Sequence, residues 1–261
     1  MLKKGKLVAV VPVYNESDLI KDTIDGLKTI ETIDEIVIVN DGSTDNTLDI
    51  CKSLGVTVID IETNQGKGHA IKKAIESITF DFLALVDGDL GKTSWEIKKL
   101  IGPIINGKGD VSIAKFPKAE VKGGFGLVKG FAKKSVYYFT GVQMDTSLSG
   151  QRVYRKEVLE RIDYIPNRYG IELAMTVQTI NNGYLIIEVP VTMKHRFTER
   201  NLKGFIHRGK QFLDILKTSI ILYIRKYKRW NHADSYNNKF YNFFVFVLHF
   251  NTKANKYAFK S

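Results

Sequence analysis

An α/β fold with a mostly parallel central sheet flanked by helices is what this sequence predicts, and three observations carry it. Short apolar runs rich in Val and Ile alternate with segments of helical spacing from Leu7 to Ala114. Three of those runs end in polar clusters: Tyr14-Asn15-Glu16, Asn40-Asp41-Gly42-Ser43 and Asp87-Gly88-Asp89. One of them, Phe82 to Val86, passes straight into two carboxylates separated by a single glycine. A continuous apolar run bounded by a turn signal reads as a strand buried on both faces.

In chain order, Leu7 to Val13 is the first buried strand, with Pro12 at its exit. Glu16 to Ile30 has helical spacing, with Leu19, Ile20, Ile24 and Leu27 on one face. Glu35 to Val39 is the second strand, and a helix over Thr44 to Leu54 follows, stopped by Gly55. Val56 to Ile61 is the third strand, Gly66 to Ile78 the next helix, and Phe82 to Val86 the fourth strand. Trp95 to Ile105 reads as helix and Val111 to Ala114 as the fifth strand. Such alternation implies right-handed βαβ units.

Beyond Ala114 the pattern changes. Lys122 to Gly130 is glycine-rich and basic and leads into a helix through Thr140. Ser149 to Tyr154 precedes a helix at Lys156 to Ile162, and Gly170 to Asn182 is helical, with Glu172 in its first turn. Ile186 to Val191 is a strand followed by Lys194-His195-Arg196, and Leu202 to Arg229 is one long amphipathic helix. Its apolar stretch, Ile220 to Ile224, is far too short to span a bilayer.

The composition narrows the function classes. A single cysteine, Cys51, excludes an intramolecular disulfide and a cysteine cluster for zinc. The basic N-terminus is followed by an apolar run ended by Pro12, not by a signal peptide, so a cytoplasmic location is the expectation. The formal charge of +11 is uneven: Ile221 to Ser261 holds eight Lys and Arg against Asp234. A tail so basic attracts anionic lipid or nucleic acid, or is a solvated surface.

Ligands of open α/β sheets gather outside the carboxyl ends of the strands, where Asp87 and Asp89 lie. Residues i and i+2 of an extended chain share a face, so both carboxylates can point the same way. Mg²⁺ or Mn²⁺ relieves their repulsion, taking one or two carboxylates and completing its shell with water and phosphate. An Asp-Gly turn is the structural alternative. Neither a P-loop nor a dinucleotide fingerprint follows the first strand.

Val11-Pro12-Val13-Tyr14-Asn15-Glu16, Val39 to Asp45, Asn64-Gln65-Gly66-Lys67-Gly68 and Val86 to Asp89 resemble, in order and spacing, the motifs of GT-A glycosyltransferases, closest to family 2. Ser149-Gly150, Tyr169-Gly170-Ile171-Glu172 and His195-Arg196 are similar to glucosyl-3-phosphoglycerate synthases. Ser149 to Leu159 and Gly183 to Val191 also resemble polyprenyl-phosphate sugar transferases such as dolichol-phosphate mannose synthase. The resemblance covers about Leu7 to Phe212 and implies a GT-A fold. Residues 1–115 would be its nucleotide-sugar half, 116–212 its acceptor half, and 213–261 a C-terminal helix with a basic aromatic tail.

The resemblance implies a hexosyltransferase that moves a sugar, glucose from UDP-glucose in the favoured reading, onto an acceptor such as 3-phosphoglycerate. Pro12, Tyr14, Glu16, Asp41, Lys67, Asp87, Ser149 and Gly150 would hold the nucleotide sugar. Asp87, Asp89 and His195 would hold Mg²⁺ or Mn²⁺, and Asp89 and Glu172 would serve catalysis. Glu172 is either a general base or a holder of sugar hydroxyls, with helix-start stabilisation as the plain alternative. Gly124, Gly126, Lys129 and Arg196 would meet the acceptor. The alternative enzyme reading is transfer to a polyprenyl phosphate at the inner membrane face, with peripheral contact through the basic tail. A homodimer is compatible with either. A nucleic-acid-binding module ranks low because the basic residues lie mostly outside the motif-bearing core, so no nucleic-acid partner is expected.

Overall fold

The computed structural model describes residues 5–117, 127–193 and 202–229. The chain runs β1 (Leu7–Val13), α1 (Ile20–Lys28), β2 (Glu35–Asp41), α2 (Thr47–Ser53), β3 (Thr57–Ile61), α3 (Lys67–Ser77) and β4 (Phe82–Leu85). A 3₁₀ helix (Gly91–Ile97) leads into α4 (Lys98–Ile105), β5 (Val111–Lys115), α5 (Leu127–Thr140), β6 (Arg152–Arg155) and α6 (Lys156–Glu160). The elements α7 (Ile171–Asn181), β7 (Ile186–Pro190) and α8 (Leu202–Arg229) follow. One seven-stranded sheet takes them in the order β3-β2-β1-β4-β6-β5-β7.

Period-two side-chain alternation divides each central strand between two cores. Val8 and Val10 of β1, Val37 and Val39 of β2 and Leu83 and Leu85 of β4 pack on one face, with residues of α3, α5, α7 and α8. Leu7, Ala9 and Val11, Ile36 and Ile38, and Ala84 pack on the other, with α1 and α4. These strands are apolar throughout because both faces are covered, and each buried Val, Leu or Ile contributes roughly 1.5–3 kcal/mol. Pro12 lies past the β1–β4 pairing, which ends at Val10 and Leu85, so its missing donor costs no bond to β4.

Two sequence expectations need correction. Ser149 to Tyr154 is more than a lead into a helix: Arg152–Arg155 is strand β6, antiparallel to both β4 and β5. It escapes the apolar-run criterion because arginine stands at each end of only four residues. Its direction matters, since Arg152 pairs with Leu85 and with Ile113. The loop entering β6 therefore reaches the same sheet edge that β1, β2 and β4 leave. In addition, β4 ends at Leu85, so Asp87 and Asp89 sit in a turn rather than on one strand face.

Candidate active site

The carboxyl edge of the sheet is shaped by loops that bond to one another. Asn15, at φ 55°, donates its backbone N–H to Ser43 Oγ at 3.0 Å and accepts at Oδ1 from Thr44 N–H at 2.8 Å. Glu16 N–H donates to Thr47 Oγ1 at 2.8 Å, while Asp45 accepts from Thr47 N–H at 3.0 Å and Ser17 N–H at 3.3 Å. These bonds outweigh the desolvation of Asp45 and hold its carboxyl down at about 2. The loops after β1 and β2 are thus one unit.

Asp41 is buried, and its two oxygens accept the backbone N–H groups of Gln65 (2.9 Å) and Gly66 (2.8 Å). It fixes the loop that starts α3 and so aims Lys67. The two glycines flanking Lys67 answer to packing. Gly66 has φ +99°, and a Cβ on Gly66 or Gly68 would strike the Asn167 or Pro166 carbonyl. Gly68 N–H bonds to the Asn167 carbonyl at 2.8 Å. Segment 166–172, with Arg168, Tyr169 and Glu172, is docked on α3 by that approach.

The Asp87-Gly88-Asp89 turn is held from below by Thr23 of α1, whose buried hydroxyl donates to the Gly88 carbonyl at 2.8 Å and accepts from Gly91 N–H at 2.9 Å. Asp87 Oδ1 pairs with Lys67 Nζ at 2.6 Å, and Lys67 also reaches Glu172 Oε1 at 3.4 Å. Burial works against the Lys67 charge, but Asp87 and Glu172 outweigh it and raise its pKa. Gln151 clamps Asp87 from the other side, donating Nε2 to Oδ2 at 2.6 Å and accepting Asp87 N–H at 2.9 Å. Gly150 packs between these groups, for a Cβ there would lie 2.6 Å from Lys67 Nζ and 2.8 Å from Asp87 Oδ2.

Two clefts meet at this turn. One, of about 690 Å³, is lined by Pro12, Tyr14, Glu16, Asp41, Lys67 and Glu172, with Gln211 and Ile215 of α8. The other, of about 640 Å³, is lined by Lys115, Lys129, Lys133, Asp145, Ser149 and Gly150. Asp87 and Asp89 belong to both. Every expected site residue among the described residues therefore lines one cleft or the other. The expected Gly124, Gly126, His195 and Arg196 lie outside the described residues.

No group of three or more His, Cys, Asp or Glu side chains gathers for a metal among the described residues. Two carboxylates at the junction still fit a hard cation such as Mg²⁺ or Mn²⁺, which draws its other oxygens from water and phosphate. The Ser149 hydroxyl, buried there without a hydrogen-bond partner, is a further oxygen on that wall.

Sequence reasoning assigned no role to Gln151 or to Arg152. Arg152 is 1% exposed and spans Ser149 O (2.7 Å), Ser147 O (3.4 Å), Tyr154 Oη (3.1 Å) and Thr176 Oγ1 (2.9 Å), fastening the 147–150 loop between the clefts. An arginine heading an apolar pair, Val153-Tyr154, was the available signal; Gln151 offered none. Gln211 and Ile215 come from a helix remote in sequence and could be placed only by packing.

The family model described as Glycosyl transferase family 2 matches residues 8–163. The low-salt glycan biosynthesis hexosyltransferase of Haloferax volcanii is 28% identical over 76% of this chain, which spans half of that relative's length. The dolichyl-phosphate hexose transferase of the same organism is 27% identical, over 76% of this chain and 87% of its own. Among solved structures, glucosyl-3-phosphoglycerate synthase from Mycobacterium tuberculosis, in complex with Mn²⁺, UDP-glucose and phosphoglyceric acid, superposes with a TM-score of 0.71. That match covers 84% of this chain and 79% of the other at 20% identity, a likeness of fold.

Proposed function

The chain belongs to glycosyl transferase family 2, and from that premise we propose that it transfers glucose from UDP-glucose to a phosphate-bearing acceptor with the help of Mg²⁺ or Mn²⁺. The observation that carries this reading is the position of Asp87 and Asp89, shared by two clefts of different character. The cleft floored by Pro12, Tyr14 and Asp41 takes the nucleoside, with Tyr14, 46% exposed, free to cover the base. The cleft with three lysines takes the acceptor, and its cationic lining suits a phosphate.

Asp87 and Asp89 would hold the divalent cation, which stabilises charge on the departing diphosphate when bound. Lys67 adds a cation beside the same diphosphate. Ser149 and Gly150, which line the second cleft beside Asp87, would shape the sugar pocket. Glu172 lines the nucleotide cleft and not the acceptor cleft, which supports its holding sugar hydroxyls over its deprotonating the acceptor. His195 and Arg196, following β7, remain the proposed third metal ligand and acceptor contact.

A second acceptor, a polyprenyl phosphate, is supported by the likeness to dolichyl-phosphate hexose transferase. No helix among the described residues is long and apolar enough to cross a membrane, so such an acceptor would be met through peripheral contact by the basic tail.

The test is release of UDP or another nucleoside diphosphate across a panel of nucleotide sugars, with and without Mn²⁺, for wild type and Asp89→Ala. Metal-dependent turnover of UDP-glucose, lowered roughly 100-fold or more in the variant, is expected. Acceptor arms with 3-phosphoglycerate and a short polyprenyl phosphate separate the two readings. Turnover of no nucleotide sugar with any metal would remove the proposal.

A further inference from the structure

Both carboxylate oxygens of Asp87 are engaged by the chain itself. Oδ1 takes Lys67 Nζ at 2.6 Å, and Oδ2 takes Gln151 Nε2 at 2.6 Å. Gly150 confines the pair, since even a methyl group there would lie 2.6 Å from the ammonium. An ammonium and a divalent cation seek the same oxygen for the same reason, and their like charges repel each other at that distance. The ammonium has somewhere to go: Glu172 Oε1 lies 3.4 Å from Lys67 Nζ. Lys67, Asp87 and Glu172 are 31%, 31% and 17% exposed at their side chains, so their pairing is shielded in part from bulk water.

We propose that Lys67 is the resident counter-ion of the metal site, occupying Asp87 and passing to Glu172 when a divalent cation takes Asp87. Lys67 then sets the affinity of the site for metal. The cation is disfavoured by itself and favoured once a diphosphate brings oxygens for it and a partner for the displaced ammonium. Glu172 acts in this exchange as a positioning residue, through Lys67. The inference rests on the metal-assisted reading above, but its test needs no sugar and no turnover.

Mn²⁺ binding to the full chain, read from the electron paramagnetic resonance signal of the free ion, is compared without nucleotide. Lys67→Met is expected to tighten Mn²⁺ by about tenfold or more, the scale of removing one charge about 5 Å from a divalent ion even at the dielectric of water. Lys67→Arg keeps the charge and stays within about threefold of wild type. Lys133→Met, which removes an exposed cation of the neighbouring cleft, also stays within about threefold because solvent and salt screen it. Glu172→Gln weakens Mn²⁺, and in the Lys67→Met background that effect falls to less than half, the signature of action through Lys67. Circular dichroism checks folding, and Lys67→Gln substitutes for Lys67→Met if the latter does not fold. Equal Mn²⁺ affinity of Lys67→Met and wild type, measurable or not, overturns the proposal. So does a Lys133→Met effect as large as that of Lys67→Met, because the lysine would then act only as general cleft charge. Failure of the nucleotide-sugar panel with an intact Lys67 effect would instead count against the donor reading alone.

Discussion

The walls that meet at Asp87 and Asp89 are built on different principles. On the proposed nucleotide side, Asn15, Asp41, Ser43, Asp45 and Thr47 bond to backbone groups of neighbouring loops, so the motif residues mostly hold one another. On the proposed acceptor side, Lys115 and Lys133 share the exposed carboxylate of Asp145 at 2.7 and 3.2 Å, pairs that water and salt weaken. One wall is organised before its ligand arrives and the other can exchange partners. In the proposed reading the rigid wall faces the donor and the exchangeable one the acceptor.

The sharpest way to break the comparison is Gly68→Val. Its side chain would collide with the Pro166 carbonyl and push segment 166–172 off α3. A loss of about 3 kcal/mol by urea unfolding, with UDP binding abolished, is expected. A Gly68→Val protein with wild-type UDP affinity would show that the nucleotide wall is not rigid there.

Next in size is Asp41→Asn, which replaces one acceptor oxygen by an amide facing a backbone N–H. We expect about 2–3 kcal/mol of lost stability and weaker UDP binding in calorimetry. Smaller still is Lys115→Met with Lys133→Met. The acceptor KM should rise about tenfold, UDP affinity should hold, and stability should change by less than about 0.5 kcal/mol. A fall in stability as large as that of Asp41→Asn would erase the contrast between the walls.

The smallest effect is one of pH. The Asp45 carboxyl titrates at about 2 in the folded chain, below its ordinary 3.8. A depressed carboxyl adds stability that is fully present above its unfolded value and lost as pH falls through the folded one. The urea midpoint of Asp45→Asn should therefore lie below that of wild type by a constant amount above about pH 4. The gap should close between about pH 4 and 2. A gap independent of pH would assign the Asp45 effect to packing.

Much of residues 1–115 was legible in the sequence because its signals are local. A strand buried on both faces must be apolar, so β1, β2, β4 and β5 declared themselves, and their polar ends marked the cleft. Asp87 and Asp89 are legible as residues, but their facing the same clefts comes from the turn past the end of β4 and not from strand alternation. The resemblance makes Asp41 a nucleoside ligand; its two short bonds to the Gln65 and Gly66 amides hold the α3 loop, which no spacing reveals.

What only the tertiary structure decided is what depends on chain direction and distant packing. The antiparallel course of β6 delivers Gly150 and Gln151 to Asp87 across 64 residues of sequence for the Gln151 clamp, and no periodicity in a four-residue strand encodes that. The meeting of Lys67 with Glu172 spans 105 residues and rests on glycines whose lack of a side chain lets two backbones touch. Residue types and hydrophobic period thus determined the sheet and the chemistry available at its edge. Which carboxylate each cation holds was left to packing, because ion pairing depends on distances of a few ångströms that only the folded chain sets.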